Sequence, residues 1–234
     1  MTKCPEPGIY HNISSEDYFA WEAVSNSKLS LMNRSPMHYK HGFGESTPAM
    51  QLGSLVHSGV LEPLSIAQRY VFMPDYSNHP DNKTGKGDRS YSSATTFVRA
   101  MEESFRHLHH DKEIVSQSDY NMMIGMATAV VSNQTARLLL REGVAEVCCV
   151  WIDAITGRTC KSRIDWLDKS GGRFCDLKTT QDAGDFERSI VRYGYHRQMA
   201  FYSRGLAANG IEATPWIMCV DKSAPYGCRA APMD

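Results

Sequence analysis

Between Ala145 and Lys178 the chain reads as strand, tight turn, strand, tight turn, strand. Ala145–Asp153 (AEVCCVWID) is rich in β-branched and aromatic residues, and Thr156-Gly157 supplies a turn. Thr159–Asp168 (TCKSRIDWLD) is a second strand, Lys169–Gly172 (KSGG) a second turn, and Arg173–Lys178 (RFCDLK) a third strand. Such a meander of hairpins has to bury its apolar side against something, and the rest of the chain supplies helices to do so.

Ser25–Tyr39 predicts a helix with Ser27 as a cap, and Pro36 ends it or starts the next turn. Pro48–Leu61 predicts another, with Leu52, Leu55, Val56 and Val60 near one face, His57 close to it and Pro63 as the stop. Helices are expected over Ala94–His110 and Ser118–Glu142, and after the hairpins over Asp182–Asn209, followed by a strand at Pro215–Val220. Residues 74–93 are rich in Asp, Asn, Gly and Lys and predict a mobile loop. Its Lys83, Lys86 and Arg89 either touch a phosphate backbone or belong to a solvated linker. The layout predicts an α/β (α+β) fold: a small central mixed β-sheet flanked by helices.

Several function classes drop out. No apolar run approaches the roughly 18 residues of a membrane span, and the first residues lack the basic-then-apolar pattern of a signal peptide. A cytoplasmic protein without a membrane partner is the expectation. The seven cysteines include no CxxC pair, which argues for reduced thiols and against an iron–sulfur cluster. His107, His109 and His110 have no companions at zinc-ligand spacing. The net charge of -1 decides nothing about nucleic acid, since acidic metal ligands offset a local basic channel.

The chemistry-bearing residues sit on the hairpins. Asp176 and Lys178 are two apart on one strand and so share a face. Asp165, on the preceding strand, lands opposite Asp176 or close to it. Two carboxylates side by side are unfavourable unless a cation joins them, which points to a metal. Magnesium takes carboxylate oxygens, and a neighbouring Lys can orient or activate water. The same pattern could be a solvated face with an Asp–Lys ion pair.

Six segments in order give a stronger signal. SNSKLSLMNRSPMHY, GSLVHSGVLEP, AEVCCVW, RIDWL, DLKTT and YHRQMAFY, with the later VDKSAPY, resemble the nuclease-domain family of exonuclease VIII (RecE), in the RecB-like branch of the PD-(D/E)xK nuclease superfamily, which has a restriction-endonuclease-like core. The resemblance spans most of the chain. It implies one nuclease domain over residues 1–234, mainly helical over 1–142 and carrying the catalytic sheet and QxxxY helix over 143–234. It implies Asp165 and Asp176 as metal ligands, joined by the Leu177 carbonyl and His57, with Lys178 as the catalytic lysine. Gln198 and Tyr202 match the QxxxY element that braces the site or contacts DNA. Glu146 matches an acidic position that supports the site, holds a second metal or is structural. Arg163 shares the Asp165 face, for a phosphate contact or a salt bridge to Asp176. Arg188, Arg192 and Arg197 line the DNA path or form a solvated helix face. The implied activity is magnesium-dependent exonucleolysis of double-stranded DNA ends, 5′ to 3′, with Mn2+ able to substitute for Mg2+. The implied partners are copies of the chain in a homo-oligomeric ring and a single-strand annealing protein.

Overall fold

The computed structural model describes residues 3–42 and 46–233. The chain begins with the short strand β1 (Gly8–Tyr10) and four helices: α1 (Ser15–Ala20), α2 (Asn26–Arg34), α3 (Pro36–His41) and α4 (Pro48–Leu61). It continues with α5 (Ile66–Arg69), β2 (Tyr70–Phe72), α6 (Thr96–Leu108), β3 (Glu113–Val115), α7 (Gln117–Ser132) and α8 (Gln134–Leu139). The hairpins follow as β4 (Gly143–Ile152), β5 (Thr159–Asp168) and β6 (Arg173–Thr180). Then come α9 (Phe186–Tyr193), α10 (Tyr195–Ala208), β7 (Thr214–Asp221) and β8 (Cys228–Pro232).

The six-stranded sheet has the order β1-β4-β5-β6-β7-β8, and a separate two-stranded sheet pairs β2 with β3 in parallel. Every neighbouring pair in the large sheet is antiparallel except β6–β7. That exception follows from connectivity: a parallel neighbour needs a long crossover, and α9 with α10 supply it. The expected small mixed sheet flanked by helices is the observed fold.

Alternation along β6 sets the two layers. Cys175 and Leu177 face α4 and α7, in a core with Leu55, Val56, Met126, Val130 and Met218. Phe174 faces α10, packing with Val147, Ile164, Met199 and Leu206. The period-two rule then puts Asp176 and Lys178 on the α10 side with Phe174. Close approach of α10 depends on Gly205, where an added Cβ would lie 2.7 Å from the Trp151 ring of β4.

Pro36 starts a new helix, one of the two roles expected of it, and two other expected helices are each broken, for local reasons. Ser35 is extended before Pro36 and caps α3, accepting from the His38 N–H. Asn133 leaves the helical region (ψ 121) and caps α8. Gly194 adopts φ 70, ψ 32, closing α9 and starting α10. The polar segment 74–93 is not featureless: it holds a 3-10 turn, and buried Asn82 donates to the carbonyls of Ser77 and Ser92 and accepts from Thr95. No helix among the described residues is long and apolar enough to cross a membrane.

Candidate active site

The sheet opens around Asp165. On one side the β4–β5 ladder runs through Val147↔Ile164 and Ala145↔Trp166 but skips the pair between them, Glu146 and Asp165. On the other side β5 pairs with β6 only at Trp166↔Cys175 and Leu167↔Phe174. Beyond that point β6 continues its ladder with β7 as far as Thr180. Asp165 and Asp176 therefore sit at a fork where β5 and β6 diverge.

Leu177 spans the fork. Its N–H donates to Asp165 Oδ2 at 2.7 Å, and its carbonyl oxygen lies 2.7 Å from His57 Nε2 of α4. With Nε2–H donating to that carbonyl, the Nδ1 lone pair faces Asp165 Oδ2 at 3.5 Å. Two acceptors turned toward each other require a proton or a cation between them. His57 has its pKa lowered, by burial first and then by Lys178, which leaves a neutral imidazole suited to metal ligation.

Burial, and then the Asp176 charge, push the Asp165 carboxyl up to about 8. Asp176 is almost completely buried. Its Oδ1 accepts from Gln198 Nε2 at 2.7 Å. Its Oδ2 has no donor aligned on it, though Lys178 Nζ lies 2.5 Å away. Burial works against the Lys178 ammonium, but Asp176 and Asp165 together outweigh it and hold its pKa above the ordinary value. Gln198 Nε2 also donates to the Tyr202 hydroxyl at 2.9 Å, so the QxxxY pair orients Asp176 from α10. Burial keeps the Tyr202 phenol protonated.

Glu146 enters from β4 with φ 55, a left-handed backbone that is strained for a residue with a Cβ. Its carboxylate contacts Arg163 Nε, and Arg163 Nη1 donates to Ser15 Oγ of α1 at 2.8 Å. The salt bridge from Arg163 to Asp176 allowed by the sequence is thus not formed; Glu146 is nearer and more exposed than the buried Asp176. One ligand atom each from His57, Glu146 and Asp165 falls within 4.8 Å of the others. These three line a cavity of about 270 Å³ together with Arg163, Tyr202 and Phe19. Asp176 lies outside that triad, turned toward Gln198 and Lys178. The donor set fits a hard divalent cation: carboxylate oxygens, a neutral imidazole, a backbone carbonyl, and a desolvated pair of like charges.

Sequence reasoning missed three contributors. Tyr195 places its ring centroid 5.1 Å from Lys178 Nζ, and its place at the head of YHRQMAFY, beside Gly194, was its signal. The α1 residues Ser15 and Phe19 reach the cavity from the N-terminal segment, where nothing marked them. Lys83, Lys86 and Arg89 are not among the residues lining this cavity.

The mixed sheet with its fork, and the acidic pair beside a lysine, define a PD-(D/E)xK-type fold. Residues 22–233 match the family described as "PDDEXK-like domain of unknown function (DUF3799)", and the chain belongs to that family and to the PD-(D/E)xK superfamily. A crystal structure from Eubacterium rectale, described as a "Putative exonuclease", superposes with a TM-score of 0.62 at 15% identity, covering 96% of this chain and 79% of that one. At that identity the likeness concerns the fold. SSO0001 aligns with 80% of this chain and 81% of its own at 13% identity, but its TM-score of 0.28 is too low to bear on the fold. None of the curated proteins matches the chain.

Proposed function

We propose that this chain is a magnesium-dependent exodeoxyribonuclease that degrades linear double-stranded DNA from 5′ to 3′, leaving 3′ single strands for recombination. The observation that carries the reading is the fork itself: Asp165, Asp176, Lys178 and His57 converge there, with Asp176 Oδ2 buried against the Lys178 ammonium. The exonuclease mode, the polarity and the kinship with exonuclease VIII rest on the ordered motifs. So do the homo-oligomeric ring and the annealing partner.

Asp165 and Asp176 would hold Mg2+ or Mn2+, with His57, the Leu177 carbonyl and Glu146 as further donors. When bound, the cation supplies charge neutralisation and Lewis acidity at the scissile phosphate. Lys178 stays cationic in this environment, so its role is to position water and to meet charge that develops on the phosphate. Gln198 fixes the Asp176 carboxylate so that its oxygens keep one orientation. The Tyr202 hydroxyl takes the Gln198 hydrogen bond and keeps its own O–H free to donate. Arg163, which lines the cavity while bonded to Glu146 and Ser15, would contact a phosphate.

The test is digestion of a linear duplex labelled separately at its 5′ and 3′ ends, with magnesium and with chelator, alongside a covalently closed circle. Magnesium-dependent release of the 5′ label first is the expected result. Cutting of the closed circle would make the enzyme an endonuclease. Lys178→Ala and Asp176→Ala are expected to lower the rate by about 100-fold or more. If both degrade the duplex as fast as the parent, the activity does not come from this site, and the fold serves as a silent binding module.

A further inference from the structure

A second cavity, of about 700 Å³, opens against Tyr195 and shares no lining residue with the one at His57. Its volume falls within the roughly 300–1,000 Å³ of small-ligand sites. Tyr195 therefore stands between Lys178, over which its ring lies, and this second space.

The lining combines aromatic faces with cations. Phe186 is buried and stacks on Tyr195, with ring centroids 5.8 Å apart and planes at 23°. Tyr193 is 57% exposed, its ring 5.7 Å from that of Tyr195, and the Arg192 guanidinium lies 5.5 Å from the Tyr193 centroid. The two tyrosines flank Gly194, whose positive φ turns the chain between α9 and α10. The acidic lining residues are satisfied internally: Asp182 accepts from the Gly184 and Asp185 N–H groups, and Asp185 pairs with Arg188. Among the described residues neither Arg192 nor Lys222 has an ion-pair partner, so both cations remain for a ligand.

An exposed aromatic ring such as Tyr193, beside unpaired cations, is the recognition chemistry of single-stranded nucleic acid, with a base stacked on the ring and phosphates on Arg or Lys. A base inside a duplex has both faces covered by its neighbours and cannot use such a platform. We infer that this cavity holds an unpaired nucleotide of the strand being cut, its base on Tyr193 and its phosphate on Arg192 and Lys222. The inference rests on the nuclease reading for what it adjoins: the strand leaves the duplex before or as it passes Lys178.

The test uses the full chain carrying Lys178→Ala, so that DNA is bound without being cut, with the parent in chelator as a second measurement. Fluorescence anisotropy compares a short blunt duplex with the same duplex bearing a short single-stranded thymidine tail, at the 5′ or the 3′ end. One of the tails is expected to tighten binding about tenfold, the worth of one stacked base. Tyr193→Ala is expected to remove that gain while leaving blunt-duplex affinity in place, and Tyr193→Phe to restore it. No gain with either tail, or a gain that survives Tyr193→Ala combined with Arg192→Ala, overturns the inference. The two readings fail separately. A tail-dependent gain without magnesium-dependent cutting by the parent leaves a single-strand site in a protein that is not a nuclease. Cutting without a Tyr193-dependent gain refutes only the cavity.

Discussion

Replacing Gly205 by alanine sets two effects of opposite sign against each other. Alanine in a helix interior is favoured over glycine by about 1 kcal/mol. Against that, the new Cβ would lie 2.7 Å from one Trp151 ring carbon and 2.8 Å from another. Apolar carbons sit at about 3.5–4.0 Å, so helix or ring must move by roughly 1 Å. Trp151 is buried and held by Phe201, with ring centroids 4.8 Å apart, and cannot swing aside. Overpacking of this kind costs about 1–3 kcal/mol. The clash therefore wins, with a net loss of about 1 kcal/mol and a melting point lower by about 2–4 °C. Activity is expected to fall further than stability does. Gln198 lies seven residues before Gly205, two helical turns along the same face, and its 2.7 Å bond to Asp176 is short enough to lose on a shift of that size. Thermal unfolding by circular dichroism and cleavage of a linear duplex read the two effects. Trp151→Leu should cost less in the Gly205→Ala background than alone, a coupling that a double-mutant cycle measures. A rise in melting point for Gly205→Ala would mean that propensity prevails and that α10 does not approach β4 as described.

The buried acid pair makes metal-free stability depend on pH. Asp165 binds its proton more tightly folded, at about 8, than the ordinary carboxyl near 3.9. Its contribution is therefore fully present only below about pH 4 and is lost progressively as pH rises from there to about 8, and Asp165→Asn should flatten that loss in urea titrations; parallel pH profiles would refute it. At Glu146, with φ 55, glycine relieves backbone strain that alanine keeps, so Glu146→Gly should be about 1 kcal/mol more stable than Glu146→Ala in thermal unfolding, and equality would sink the left-handed assignment. Buried Lys161 donates to the carbonyls of Tyr18 and Trp21 at 2.5 and 2.8 Å. Lys161→Met leaves both acceptors unpaired and should lower stability by about 2 kcal/mol in urea unfolding, whereas an unchanged midpoint would mean that α1 is held by its apolar contacts alone.

What the sequence made legible was local. Thr156-Gly157 and Lys169–Gly172 are turns that fix β4, β5 and β6 to within two residues, and Pro48 and Pro63 bracket α4 by fixed backbone geometry. Pro36 marked the break at Ser35 in the sequence, but those at Asn133 and Gly194 were harder, because apolar residues continue in phase on both sides. β1 and β8 are edge strands of three and five residues, too short to alternate convincingly. β2 and β3 find each other across α6, a pairing no local pattern encodes. The acidic pair and lysine could be placed on one face from the period of a strand. That Arg163 turns to Glu146 could not be read, because it depends on the left-handed backbone at Glu146 and on α1 reaching back to the sheet.

The residue between Asp176 and Lys178 joins these observations. In a strand the N–H and carbonyl of one residue point to the same neighbour, and for Leu177 that neighbour is the β5 side. The fork has carried β5 away, so neither group finds a ladder partner there. Both groups are buried and must be satisfied. The N–H is met by Asp165 and the carbonyl by His57. One backbone residue thus fixes an acid from β5 and an imidazole from α4, 120 residues away in sequence, at the place where the sheet parts. The side chain of Leu177 only fills the core, so any apolar residue of similar volume could stand there. What matters chemically at this position is a backbone that the divergence of two strands has left without partners.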